Sequence, residues 1–274
     1  MSVAALVLLV AVVAPCAFAR ELKAGDQAQQ AQELAKKLAN PIANLISFPI
    51  QMNFDSGYGS ADGTRFVTNV QPVVPVELNK TWNLISRTIL PVIQQSNIAG
   101  ASGGQFGIGD VLQSAFFSPQ APTKGGIIWG AGPVFLLPTA TNSLMGGKRW
   151  GVGPTFVALT QTRGTTIGLL MNHVFSVAGD GDRADVSSTY AQPFWAYTTR
   201  KATTYMVNTE TTYNWKADGD EWTIPINFQV SQLTKFAGQP VQLAAGIRYW
   251  IDTPDGGRRA SGSVWSPHIC FQSE

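Results

Sequence analysis

The stretch MNHVFS, residues 171–176, brings a base and a hydroxyl close together in sequence, His173 and Ser176. Nucleophilic catalysis needs the base within hydrogen-bond reach of its nucleophile. On an extended strand, residues three apart point to opposite faces, so this spacing does not assemble a hydrolase. The other histidine is His268. Two histidines and a single cysteine beyond position 16 do not supply a transition-metal site, and no cofactor is expected. Two loops are richer in carboxylates. GDGDRAD offers Asp180, Asp182 and Asp185, and KADGDE offers Asp218, Asp220 and Glu221. Alternate acidic residues beside glycine can ligate calcium through oxygen. Neither loop completes a calcium motif, and solvated turns use the same residues, so these are weak calcium candidates and no metal is assigned.

The remaining polar groups recur every second residue. FPIQMNFD sets Phe48, Ile50, Met52 and Phe54 against Gln51, Asn53 and Asp55. EWTIPINFQVSQ sets Trp222, Ile224, Ile226, Phe228 and Val230 against Thr223, Pro225, Asn227, Gln229 and Ser231. Strict alternation predicts strands with one apolar and one polar face. About twelve such runs are expected, near 47–56, 64–77, 82–94, 108–118, 127–138, 149–161, 165–177, 186–199, 202–215, 221–234, 240–251 and 260–271. At about 11–14 residues they exceed the ordinary strand of about five or six. Short turns such as LNK, TRGT and RKA alternate with longer polar loops such as AGDGDRAD. An even strand number with short turns at one end and long loops at the other predicts an all-β, closed antiparallel transmembrane barrel.

Aromatic placement agrees. Trp82, Trp129, Tyr197 and Tyr205 fall at the short-turn end, and Trp150, Tyr213, Trp215, Trp222 and Tyr249 at the long-loop end. Amphipathic rings favour the two headgroup layers. Charged residues make up 13% of the chain, about half the usual share. The net charge of +2 does not suggest a nucleic-acid partner.

The first residues read as an export signal. The apolar run VAALVLLVAVVAP precedes Ala17, Phe18 and Ala19, a small-x-small cleavage pattern, although no basic residue opens it. The expected division is a signal peptide at 1–19, a periplasmic leader helix at 20–46 and a barrel at 47–271. Leu34, Leu38 and Ile42 give the leader an apolar stripe, and Pro41 should end or kink it. Such a helix is either solvated, at the membrane surface, or partly plugging a pore.

WGAGPVFLLPT (129–139) and WGVGPTFVALT (150–160) are nearly one phrase written twice. Their glycines suit strongly tilted, closely approaching strands. Pro133 and Pro154 lack a ladder donor and are expected at bulges.

On the polar face, the lumen-lining candidates are Arg65, Asn69, Asn83, Arg87, Glu210, Asn227, Gln229 and Arg248. Arginine facing lipid at mid-bilayer costs about 2–4 kcal/mol, so the three arginines belong inside. Because first and last strands pair on closure, they could form one positive ladder, with Glu210 too distant to neutralise all three. Their alternative role is pairing with Glu210 or Asp55. On 221–234, arginine should be tolerated at the lumen position Asn227 and not at the lipid position Ile226.

The phrases LANPIANLISFPIQMNFD, NVQPVVPVELNKTWNLISRTILPVI, WGAGPVFLLPTAT, WGVGPTFVALTQ, MNHVFSVAGDGDR, VSSTYAQPFWAYTTR, NTETTYNW and TIPINFQVSQL together resemble one family. It is the family of bacterial outer-membrane transporters grouped with the phenol-degradation meta-pathway proteins, some of whose members carry an erroneous neuromedin label. The resemblance covers most of residues 35–258 and implies a barrel in the Gram-negative outer membrane. Where such barrels end on an aromatic, this chain has three residues after Phe271. The expected function is passive passage of small solutes, aromatic or anionic among them. The alternative is a non-conducting structural or adhesion barrel, with a barrel hydrolase behind both. Expected partners are outer-membrane lipids and lipopolysaccharide, the barrel-insertion machinery and a small solute.

Overall fold

The computed structural model describes residues 24–58, 61–219, 221–254 and 262–270. The expected signal peptide, Asp220 and Phe271 lie outside the described residues. The chain begins with α1 (Ala24–Leu38), which has Asp26 in its first turn and Lys36 and Lys37 in its last. These charges oppose the helix dipole at both ends. Pro41 cannot continue the helix, and the Asn40 side chain instead accepts from the Ile42 amide at 3.0 Å. Among the described residues no helix is long and apolar enough to cross a membrane.

Strand follows almost without interruption. The first segments are β1 (Ser47–Tyr58), β2 (Gly63–Val70), β3 (Val73–Asn79), β4 (Trp82–Ser96), β5 (Gly104–Ile108) and β6 (Val111–Pro119). Next come β7 (Ile127–Leu137), β8 (Arg149–Thr162), β9 (Thr165–Gly179) and β10 (Ser187–Thr198). The last are β11 (Thr203–Thr209), β12 (Thr211–Asn214), β13 (Trp222–Phe236), β14 (Gln239–Asp252) and β15 (Gly262–Cys270). Three staves are each broken into two segments: β2 and β3 part at Gln71, β5 and β6 at Gly109, and β11 and β12 at Glu210, with β5 lying where a loop before 108–118 was expected. Both halves of the first and last of these lie between the same two neighbours, so the fifteen segments make twelve staves. All pairings are antiparallel, and β1 against β15 together with β9 against β10 closes the ring.

The short turns carry the expected chemistry. Arg163 and Gly164 have φ of 48° and 86°, and Ala237 and Gly238 have 49° and 81°. Positive φ at both central residues is the two-residue hairpin geometry that matches strand twist.

Polarity is inverted relative to a soluble protein. Phe54, Phe156, Ile167, Val207, Ile226, Phe228, Leu243 and Ile247 are exposed on the outside. Asn53, Asp55, Asn83, Asn208, Asn227, Gln242 and Arg248 are buried within. Trp150, Trp215, Trp222 and Tyr249 ring one end on the outer face, and Tyr197 and Tyr205 the other. Trp82 packs edge-on against Trp129 at 5.9 Å. That distribution is the one a barrel immersed in lipid requires. Such barrels resist denaturing detergent until heated, so the unboiled protein is expected to migrate faster than the boiled one. Ile247→Arg should abolish the fast band, since that side chain is 67% exposed on the apolar wall. Gln229→Arg, which points into a cavity, should keep it.

The repeated phrase occupies adjacent strands, and Pro133 stands directly opposite Pro154. Neither proline sits at a bulge, contrary to expectation. The register runs unshifted past Pro133, from Ser114↔Val134 to Phe117↔Ala131, and past Pro154, from Val152↔Phe175 to Thr155↔Asn172. What is missing is the ladder bond each proline would have donated outward, to Ala115 of β6 or His173 of β9. Those two carbonyl oxygens lean instead onto Gly132 and Gly153, where a Cβ would collide with them. The Gly-Pro pair is therefore one device used twice: proline leaves a carbonyl unpaired, and glycine makes room for it.

Candidate functional site

The lumen has two unlike halves. Val73, Ile85, Phe116, Val157, Leu159, Leu170 and Phe194 form a buried apolar cluster on one side. Gln51, Asn53, Gln71, Asn208, Asn227 and Arg248 make the other side polar. The expectation of a polar inner face holds only for this second half.

The leader is not a freely solvated helix. Ala35, Ala39, Ile42 and Leu45 are buried, and Ile42 joins the apolar cluster of the lumen. Gln32 Nε2 donates to the Thr198 carbonyl at 3.2 Å, and Gln161 Nε2 donates to the Lys36 carbonyl at 2.8 Å. These bonds tie α1 to the short-turn end and lead residues 39–45 inside. The plugging geometry is the one observed.

Two cavities lie in series beyond this plug. The first, of about 150 Å³, is lined by Lys37, Pro41 and Leu45 of the plug and by Met206, Asn208 and Gln229 of the wall. The second, of about 340 Å³, is lined by Asn69, Ile89, Leu112, Ser114, Leu170, Asn172, Tyr190 and Thr212. Gln51, Gln71, Arg87, Gln192 and Glu210 line both and form the constriction between them.

Each wall of the constriction is held by a chain of hydrogen bonds. Arg87 Nη2 donates to Gln71 Oε1 at 2.9 Å, Gln71 Nε2 to Gln51 Oε1 at 3.0 Å, and Gln51 Nε2 to Asn53 Oδ1 at 3.2 Å. Opposite, Arg248 Nη2 meets Glu210 Oε2 at 2.6 Å, and its Nε donates to Asn227 Oδ1 at 2.7 Å. Asn227 Nδ2 passes the chain to Asn208 Oδ1 at 2.7 Å, and the guanidinium lies 5.3 Å from the Trp250 ring centre.

This geometry replaces the expected ladder of three arginines. Arg248 is paired with Glu210, two staves away and within reach across the lumen. Arg65 sits directly opposite Asp55 on β2 and β1, and among the described residues its Nε has no hydrogen-bond partner. Arg87 alone of the three lines both cavities. Asn227 is fully buried between Arg248 and Asn208, so it is not the tolerant position expected for arginine; Gln229 takes that role.

The other candidates separate. Asn69 and Gln229 line the cavities, and buried Asn83 accepts from Gln120 Nε2 at 3.1 Å. His173 Nδ1 lies 2.9 Å from Thr189 Oγ1, beside Phe175 and Trp215 of the outer girdle. Ser176 alternates to the other face, where it donates to Asp185. Asp185 also pairs with Arg149 at 3.2 Å, and Asp180 accepts from the Asp182 amide. Among the described residues no group of three metal-ligating side chains converges; Asp180 caps a turn and Asp185 joins an ion pair. Sequence reasoning missed Tyr190, Asn172, Ile89 and Leu112. It also missed the fold of loop 138–148 over the long-loop end, where Asp110 accepts from the Ala140 and Gly147 amides and Arg183 donates to the Ser143 and Gly146 carbonyls.

No family model matches the sequence, and no curated protein matches it. Among solved structures, the chain is similar to the crystal structure of an outer membrane channel from Pseudomonas putida F1. The TM-score is 0.61 at 18% identity, over 83% of this chain and 96% of that one. It also aligns with the beta domain of the Bordetella autotransporter BrkA, with a TM-score of 0.45 at 8% identity over 83% of this chain and 100% of that one. The likeness to the channel shows a shared fold.

Proposed function

We propose that this barrel lies in the outer membrane of a Gram-negative bacterium and passes small solutes through its lumen without an energy source. The observation that carries the reading is the pair of cavities in series, joined by a polar constriction that both share. Five polar side chains line both cavities, Gln51, Gln71, Arg87, Gln192 and Glu210, which makes the junction between them a polar path. The fold shared with an outer membrane channel and the phrases quoted above support membership of the phenol-degradation-associated transporter family. On this reading α1 faces the periplasm, the aromatic girdles meet lipid and lipopolysaccharide, and the barrel-insertion machinery folds the chain. Lys37 and Arg87 line the path against Glu210, which already serves Arg248. Low-dielectric walls focus such a field, so anions are preferred, small aromatic acids among them.

A closed structural barrel is the second reading, favoured by Ile42 seated in the apolar half of the lumen. Planar bilayers separate the two. The purified protein is expected to give discrete current steps, and Ile42→Asp, which places a charge where only apolar side chains wait, should raise their size or frequency. Silence from both proteins would contradict passage and leave the structural reading.

A further inference from the structure

We infer that the larger lumen cavity is a saturable binding site for a small monocarboxylate with a compact apolar body. The inference rests on the reading of the lumen as a solute path and assigns that path a ligand class.

The cavity volume of about 340 Å³ falls within the range of about 300–1,000 Å³ typical of ligand pockets. Its two sides differ in kind. Ile89, Leu112 and Leu170 offer an apolar wall, and Arg87 stands at the constriction edge. A guanidinium carries five donors in a planar fork, and among the described residues Arg87 uses one nitrogen, Nη2, on Gln71. None of the ion pairs among the described residues includes Arg87, because the nearby carboxylate of Glu210 is bonded to Arg248. The site therefore holds one cation more than it neutralises. Tyr190 lines the same cavity, and its hydroxyl makes no hydrogen bond among the described residues. A phenol and a guanidinium fork together suit one carboxylate, which accepts two donors from arginine in parallel.

The apolar wall sets the rest of the ligand. A second carboxylate would meet the neutral side chains of Asn69, Ser114, Asn172 and Thr212 and the like charge of Glu210, with no second cation lining the cavity to pair with it, and burying an unpaired charge is costly. A cation meets Arg87. A neutral alcohol of the same shape keeps the apolar contact and loses the charge-assisted pair. The Gln71–Gln51–Asn53 amide chain holds the guanidinium through its Nη2, so the fork is positioned before the ligand arrives.

The test is calorimetric titration of the full chain, refolded in a neutral detergent, with cyclohexanecarboxylate as the probe. Cyclohexylmethanol and acetate serve as comparisons. One saturating site is expected for cyclohexanecarboxylate, with the alcohol at least tenfold weaker. Arg87→Gln should weaken the carboxylate at least tenfold, and Arg87→Lys should keep part of that loss back. Leu170→Asn should weaken cyclohexanecarboxylate while leaving acetate where it was. Each variant is first shown to keep its heat-modifiable band, so that loss of binding is not loss of fold. Equal affinity for the alcohol, unchanged affinity in Arg87→Gln, or no saturable binding by the unaltered protein would overturn the site. Binding is read here without current. A barrel silent in bilayers that still binds loses the passage reading and keeps the site, and a conducting barrel that does not bind loses the site alone.

Discussion

Gly153→Val is expected to abolish the folded barrel, giving a protein with no fast-migrating unboiled band. The substitution puts a branched side chain where the carbonyl of His173 already lies against the strand. Overpacking a core that can repack costs about 1–3 kcal/mol. Here the obstacle is the backbone of β9, which is paired with β8 on one side and β10 on the other in a fixed register. The carbonyl cannot return to the ladder, because Pro154 has no N–H to offer it. Gly132→Val should fail in the same way against the carbonyl of Ala115. Gly181→Val is the control, since a Cβ at Gly181 meets nothing within 4 Å. A folded Gly153→Val barrel would show that the close approach is not a constraint on the strands.

Glu210→Ala is expected to destabilise the barrel strongly while leaving it able to fold. Removing one partner of a buried ion pair costs about 3–5 kcal/mol, because the other charge is left without compensation. The Arg248 side chain is 6% exposed and that of Glu210 is 23%, so the lower end of that range applies. Arg87 loses the same carboxylate at longer range. A double variant, Glu210→Gln with Arg248→Gln, should recover much of the loss, since a neutral amide pair carries no desolvated charge. Unfolding midpoints in urea, read from tryptophan fluorescence, compare the three proteins. A single variant as stable as the unaltered chain would mean that water in the lumen already screens the pair.

The barrel was legible because alternation survives wherever one face is polar. On β13 and β14 Ile226, Phe228, Val230, Val241 and Ile247 are each followed by an amide, a hydroxyl or an arginine, and the faces read from that pattern are the ones observed. Legibility fails on β6 to β9. There Phe116, Val134, Val157 and Leu170 point inward while Phe117, Phe135 and Phe156 point outward, so a period of two leaves no trace. The apolar half of the lumen and the cavity wall at Leu112 and Leu170 were hidden for that reason. The plug was half legible: the stripe through Leu34, Leu38 and Ile42 fits a solvated leader as well as a plug, and the structure buries Ala35, Ala39, Ile42 and Leu45 and leaves Leu34 and Leu38 only partly covered. The charge pairing was legible as one of two readings: Glu210 was offered as a partner for the arginines beside the positive ladder, and Arg248, 38 positions away in sequence but two staves away in the ring, takes it. Tyr190 shares a strand face with Gln192, but an aromatic on that face carries no polar signal of its own, and only the structure sets it beside the cavity.

The central claim is that solutes pass the constriction beside Arg87, and reversal potentials in planar bilayers under a potassium chloride gradient test it most directly. The account predicts anion preference for the unaltered protein and a weakened or reversed preference for Arg87→Glu, with the heat-modifiable band retained. A pore that already prefers cations, or one whose selectivity ignores the charge reversal at Arg87, would contradict it.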